Sequence, residues 1–269
     1  MCGLPLARHS IDAFRAFSPS PVVCVVGYRH DLVIGALGAD NLYVLTGDPA
    51  GGTAYATYEA FSVPELDLEN PILVVTMGDR IVPVSTFRKL HETHVAGGRE
   101  ADLTFLSAIY EPPRNRGKGR ILRDSDRRVL GIVEQRDIDA IADGKLRQPL
   151  DELTEGNCPL YAVRARTLRR HLEAVTNANA QRQYYLTDII ASVRRAGGDI
   201  RTITTTLADP EYDLLCSDVT RPLDIALLED RLRASRQVAA PPATAVEEAA
   251  RALRRDRWPG QVASIARQL

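Results

Sequence analysis

The sequence predicts an α/β fold, and three observations carry the prediction. Short, nearly continuously apolar, β-rich runs alternate with helical periodicities through the first hundred residues, the pattern of a mostly parallel sheet covered on both faces. From Ala101 onward the pattern changes to antiparallel pairs. At 269 residues the chain suffices for one large domain or two small ones, so a sizeable buried core is available.

The elements follow in order. Apolar runs at Pro21–Gly27, Leu42–Leu45 and Ile72–Met77 read as strands. Helical patterns fall at about Pro5–Phe17, Arg29–Leu37 and Thr53–Phe61, and Ser85 reads as the N-cap of a helix through Phe87, Leu90 and Val95. Leu103–Tyr110, Gly119–Arg123 and Val129–Glu134 read as strands, the last two joined by the turn at Asp124–Asp126. Leu160–Val163 is a further short strand. Thr187 reads as an N-cap for a helix carried by Ile189, Ile190 and Val193 and ended by Gly197-Gly198. A strand over Asp199–Thr204 and a helix over about Pro222–Leu232 follow. The organisation expected is a domain over residues 1–235, then a linker and helical tail over 236–269. In the tail, Thr244 and Glu247 have capping-box spacing, and Val246, Ala250 and Leu253 make a narrow apolar face. That face packs either on the domain or on another subunit of a homo-oligomer.

Composition excludes several classes of function. Lys and Arg number 34 against 35 Asp and Glu, so no basic footprint argues for nucleic acid. The basic run Arg114–Arg123 reads mainly as a solvated face, with phosphate contact the alternative. No apolar run approaches the roughly 20 residues that span a membrane, and no leader pattern opens the sequence. The four cysteines (Cys2, Cys24, Cys158 and Cys216) lack C-x-x-C spacing, which predicts reduced thiols in the cytoplasm rather than a zinc site. His91 and His94, at i and i+3, read as two exposed histidines more readily than as metal ligands. Cys2 after Met1 has the form of an N-terminal nucleophile, but nothing downstream supports that fold.

The stretch Asn177–Ile190, N-A-N-A-Q-R-Q-Y-Y-L-T-D-I-I, is a polar, tyrosine-bearing turn running into an apolar helix. On chemistry alone it is either a loop projecting into a cleft or a helix start whose tyrosines pack. The stretch resembles a segment of the sugar-1-phosphate nucleotidyltransferases, in particular the uridylyltransferase domain acting on N-acetylglucosamine 1-phosphate. The resemblance runs from about Gly3 to about Leu232. It includes V-V-G-like strand ends, a G-T loop, a G-D turn, G-R-I-L and I-V-E-Q-R-D, all in the family's order. It implies a Rossmann-like mixed sheet of the nucleotide-diphospho-sugar transferase type. The implied reaction is transfer of a nucleotidyl group from an NTP, UTP favoured, to a sugar 1-phosphate, amino-sugar type favoured, with Mg2+. The alternative is a non-catalytic module that binds sugar nucleotides.

Residue by residue, the resemblance makes Asp79, in T-M-G-D-R, the metal-binding aspartate, with Gly78 allowing close backbone approach. A carboxylate at a strand's carboxyl end is where such sheets place ligands, although an Asp that merely turns the chain explains the same residue. The second metal position, an asparagine in the family, is Thr220 here, with Asp218 two residues earlier as a substitute. Gly52 and Thr53 match the turn that contacts the base, and Thr46 stands where a base-reading glutamine is usual. Gly119, Glu134, Asn157, Tyr185 and Thr187 match the sugar-facing residues, Asn157 near the acetamido group; the family's N-T-G reads N-C-P here. The family's first strand and glycine-rich phosphate loop precede the segment matching Gly3-Leu4-Pro5, and the sequence lacks them. A misassigned start or truncated gene, a non-catalytic descendant, or a loop supplied by another chain would each explain this. Without that strand, Pro21–Gly27 and Ile72–Met77 are expected to leave backbone edges open.

Overall fold

The computed structural model describes residues 2–217, 219 and 222–239, without the side chains of 222–223 and 234–239. Helix α1 (Leu6–Phe17) precedes strand β1 (Val23–Val26), α2 (His30–Leu37) and β2 (Leu42–Leu45). Next come α3 (Thr53–Glu59) with a 3-10 turn over Ala60–Ser62, α4 (Pro64–Glu69), β3 (Ile72–Thr76) and α5 (Val84–His94). Strands β4 (Leu103–Ile109), β5 (Arg120–Arg123) and β6 (Val129–Val133) are followed by α6 (Gln135–Asp139), α7 (Gly144–Asp151) and β7 (Glu155–Arg164). The series closes with α8 (Ala165–Leu172), α9 (Asp188–Arg195), β8 (Ile200–Thr205), α10 (Tyr212–Leu215) and α11 (Pro222–Ala239).

Every expected strand is present, and β5 and β6 pair antiparallel across the Asp124–Asp126 turn as expected, but β3 departs from the local reading. β1 and β2 form a separate parallel pair, whereas β3 runs antiparallel to β7. The larger sheet has the order β6-β5-β7-β4-β8, and β3 takes the half of one β7 edge that β5 leaves. Only β4 and β8 pair in parallel within it. An apolar run suits either direction, so pairing is a long-range choice that local pattern does not encode. β7 is ten residues long, with a register shift opposite Phe105 and Leu106, and this length makes it the hub of the sheet.

Two apolar layers cover the sheet. Strand alternation sends Leu103 and Phe105 to one face, where Tyr161, Leu168, Ile189 and Ile190 join them. Leu106, Ala108 and Tyr110 go to the other face, against Phe87, Leu90 and Tyr212. α9 ends as expected: Gly197 has φ 76° and the Gly198 amide donates to Val193 O at 3.0 Å, closing the helix end with a left-handed glycine.

Some local expectations are corrected. Pro83, not Ser85, takes the N-cap position of α5; the Ser85 hydroxyl instead binds Glu211, which also accepts from Thr86 at 3.0 Å. Helices α4, α6, α7 and α8 stand where no element was expected, and α7 even holds Pro149. The run Arg114–Arg123 is a solvated face only in its first part, where Arg114 and Arg116 are exposed. Lys118 and Arg120 are buried, and Arg123 makes a two-pronged pair with Glu155 at 2.7 and 2.6 Å. His91 is exposed as expected and packs on the Phe17 ring, but His94 is not: it is buried, 3.0 Å from Thr104 Oγ1. α11 extends through Ala239; the capping-box and apolar-face residues of the tail lie outside the described residues.

Candidate functional site

The tyrosine-bearing stretch is the hinge of the site. Tyr184 N donates to Gly51 O and Ala54 N to Tyr184 O, both at 2.9 Å, and Leu186 N donates to Thr53 Oγ1 at 2.9 Å. Gly52 is needed at this crossing. Its φ is 100°, and a Cβ there would lie 2.6 Å from Tyr184 O and 2.9 Å from Tyr184 N. Thus Gly52 and Thr53 are joined to the segment bearing Tyr185 and Thr187. The same bonds consume the Ala54 amide of α3, which is therefore not available to a nucleotide.

Thr187 has helical backbone angles and makes no capping bond with its side chain. Its hydroxyl instead donates to Glu134 Oε1 at 2.8 Å. Behind Glu134 stands Gly119, where a Cβ would sit 3.0 and 3.1 Å from the two carboxylate oxygens. Asn157 N donates to Gly119 O at 2.8 Å, which fixes β7 against the same glycine. Burial pushes the Glu134 carboxyl above its ordinary range, against the Thr187 hydrogen bond that lowers it, with Asp137 and Asp188 adding to the rise. The structure therefore assembles Gly119, Glu134, Asn157 and Thr187 into one wall.

Tyr185 is buried and its hydroxyl donates to Gln181 Oε1 at 2.9 Å. An open pocket of about 570 Å³ lies before Glu134, lined also by Arg116, Gly117, Gln135, Arg136, Asp139 and Gln181. Sequence reading missed Gln135 and Gln181, although both stand inside the quoted motifs. It also missed Tyr161, whose hydroxyl lies 3.0 Å from Asn157 Nδ2 and 3.2 Å from Oδ1. The two residues stand at i and i+4 on β7, and the register shift opposite Phe105 and Leu106 falls between them.

On the other side, Asp79 and Gly78 are exposed just beyond β3. Thr76 pairs with Leu160, so the chain leaves the β3–β7 ladder toward Asp79 at the same end from which Asn157 enters it. An added Cβ at Gly78 meets nothing within 4 Å, so close approach there is open. Next to Asp79, Arg80 turns inward and donates to Leu215 O at 3.2 Å. Thr46 is half-buried, with its hydroxyl shielded and without a hydrogen-bond partner among the described residues. Asp218 and Thr220 lie outside the described residues. Among those described, no three His, Cys, Asp or Glu side chains converge to hold a metal ion. An exposed carboxylate at a strand end fits Mg2+ nonetheless, since that ion takes one or two carboxylates and completes its shell with phosphate oxygens and water. Among the described residues no helix is long and apolar enough to cross a membrane.

No family model matches the chain. Curated relatives do. The chain is 33% identical over 204 residues, 76% of its length and 41% of the relative's, to the bifunctional protein GlmU of Caldanaerobacter subterraneus subsp. tengcongensis. It is 34% identical over 214 residues, 79% of its length and 42% of the relative's, to the bifunctional protein GlmU of Geobacillus thermodenitrificans. The chain thus spans about two fifths of the length of these relatives. Among solved structures, the inositol-1-phosphate CTP transferase from T. maritima superposes with TM-score 0.56 at 12% identity, covering 85% of this chain and 83% of the other. HddC from Yersinia pseudotuberculosis superposes with TM-score 0.54 at 14% identity, covering 84% of each chain. These superpositions show the nucleotide-diphospho-sugar transferase fold. With the motifs in order along the sequence and the GlmU relatives covering three quarters of it, the chain belongs to the sugar-1-phosphate nucleotidyltransferase family.

Proposed function

We propose that the chain transfers a nucleotidyl group from an NTP, UTP by preference, to the phosphate of an amino-sugar 1-phosphate in the cytoplasm, releasing pyrophosphate. The observation that carries this reading is the wall in which Thr187 Oγ1 donates to Glu134 Oε1 at 2.8 Å over Gly119. Thr187 holds one carboxylate oxygen and leaves Oε2 to accept from a sugar hydroxyl. The missing Cβ of Gly119 leaves room for the Glu134 carboxylate itself. Asn157, braced by Tyr161, retains one amide N–H and carbonyl lone-pair capacity for an acetamido group.

A sugar-phosphate oxygen attacks the α-phosphorus in line, and the bond to the β-phosphate oxygen breaks as the new one forms. Mg2+, when bound, neutralises triphosphate charge. In this reading Asp79 and the second position, Asp218 or Thr220, would hold it. In the same reading Gly52 and Thr53, bonded to the Tyr184–Leu186 segment, stand between the nucleotide and the sugar, and Gly78 and Thr46 are further nucleotide-facing positions. Tyr185, oriented by Gln181, borders the sugar. The tail's apolar face remains a proposed contact with the domain or with a second copy.

Calorimetry with a uridine-diphosphate amino sugar tests the reading. Thr187→Val is expected to weaken binding about tenfold or more, because a hydrogen bond to a charged group contributes about 1.5–3 kcal/mol. Unchanged affinity in that variant would remove the wall from the site.

A further inference from the structure

Arg120 is completely buried at the start of β5, one residue past Gly119, and no role for it follows from the site as described so far. Its guanidinium donates to Lys118 O and to Gln135 Oε1, the latter at 2.9 Å. Gln135 Oε1 also accepts from Gly117 N at 3.1 Å, while Gln135 Nε2 donates to Asp139 Oδ1 at 2.9 Å. With donors facing its oxygen and an acceptor facing its nitrogen, the Gln135 amide has one orientation that satisfies every bond.

These contacts fall on the two neighbours of the sugar wall. Lys118 precedes Gly119, and Gln135 follows Glu134. A buried arginine whose described partners are neutral oxygens, with Nε unpartnered among the described residues, is a costly device for holding two loops together. Apolar packing would hold them more cheaply but would not fix the direction of a side-chain amide.

Resting on the functional reading above, we infer that Arg120 is a positioning residue, which through Gln135 clamps the 117–119 turn to the start of α6. The clamp sets the separation of Gly119 from the Glu134 carboxylate, and so determines sugar-phosphate affinity without touching the sugar. Gln135 forms part of the pocket lining as well as the clamp. Arg120 acts only from behind.

The test uses the full chain with Arg120→Lys, Gln135→Leu and Gln135→Glu, reading amide exchange at Gly117 together with steady-state kinetics. Gln135→Leu and Arg120→Lys should both speed exchange at Gly117. Both should raise KM for the sugar 1-phosphate about tenfold while KM for the NTP and kcat stay within about twofold, the split expected when ground-state binding alone is lost. Gln135→Glu keeps an acceptor for both donors but loses the donor to Asp139, so it should restore exchange at Gly117 and recover KM only when Asp139→Asn is added. If Arg120→Lys does not fold, Gln135→Leu and its Glu counterpart decide the matter. Faster exchange with an unchanged sugar-phosphate KM, or both KM values rising together, overturns the inference. Protected Gly117 in a wild-type protein with no affinity for sugar phosphates or nucleotide sugars overturns the functional reading, and the inference with it.

Discussion

Gly52→Ala should be among the most damaging single-methyl additions available in this chain. Two separate penalties meet there. At φ 100° an alanine is in a backbone region that L side chains avoid, worth about 1–3 kcal/mol. Its Cβ would also lie 2.6 Å from Tyr184 O and 2.9 Å from Tyr184 N, and neither backbone atom can swing aside as a flexible side chain would. Overpacking of this kind costs about 1–3 kcal/mol. The two are not independent, since a shift of the 51–54 turn relieves both, so we expect a loss of about 2–4 kcal/mol in unfolding free energy. For a chain of this size that is a fall of about 5–15 °C in Tm. Urea unfolding followed by circular dichroism measures it, with Gly78→Ala as the control, because nothing lies within 4 Å of a Cβ there. An alanine at 52 as stable as wild type would refute the stitching of the G-T turn to Tyr184.

Glu134→Gln should raise stability at neutral pH while weakening nucleotide-sugar binding. Burial raises the folded-state pKa of this carboxyl, so its destabilising charge is absent below the ordinary carboxylate range and fully present above the raised value; the gain should vanish near pH 4. His94 has the opposite linkage. Burial lowers its folded pKa, outweighing the upward pull of Glu100, so stability should fall as pH drops through about 6.5, and His94→Gln should flatten that slope in pH-dependent urea midpoints. Arg123→Leu strands the mostly buried Glu155 carboxylate and should lower unfolding free energy by about 3–5 kcal/mol, with the Arg123→Leu, Glu155→Gln double variant recovering part of it. A double variant no better than the single one would show that the pair matters only for packing.

Much of the fold was legible because its strands are short, apolar and bounded by turn residues. Leu42–Leu45 is found where it was expected, and Ile72–Met77 is one residue longer than the observed strand. What the sequence could not disclose was long-range. Nothing local says that β3 joins β7 rather than β1, or that β7 begins at Glu155, well ahead of the expected Leu160–Val163. The candidate site divides the same way. Glu134, Thr187, Gly119 and Asn157 were legible as residues through their motifs, and the structure brings them together. Thr187 does occupy the expected N-cap position of α9, but its hydroxyl serves the Glu134 carboxylate arriving from the end of β6 rather than a helix amide, which no local pattern discloses. The buried fate of Arg120 was hidden for a similar reason: a basic run looks solvated unless the turn that buries it is known.

The reaction itself is the sharpest test. Purified protein is mixed with UTP, N-acetylglucosamine 1-phosphate and Mg2+, and pyrophosphate and uridine-diphosphate sugar are quantified together. Equal amounts of the two products, abolished in Asp79→Ala and reduced in Thr187→Val, are the result expected. No pyrophosphate with any of the common NTPs and sugar 1-phosphates, together with no binding of a nucleotide sugar, would contradict the assignment of nucleotidyl transfer to this chain.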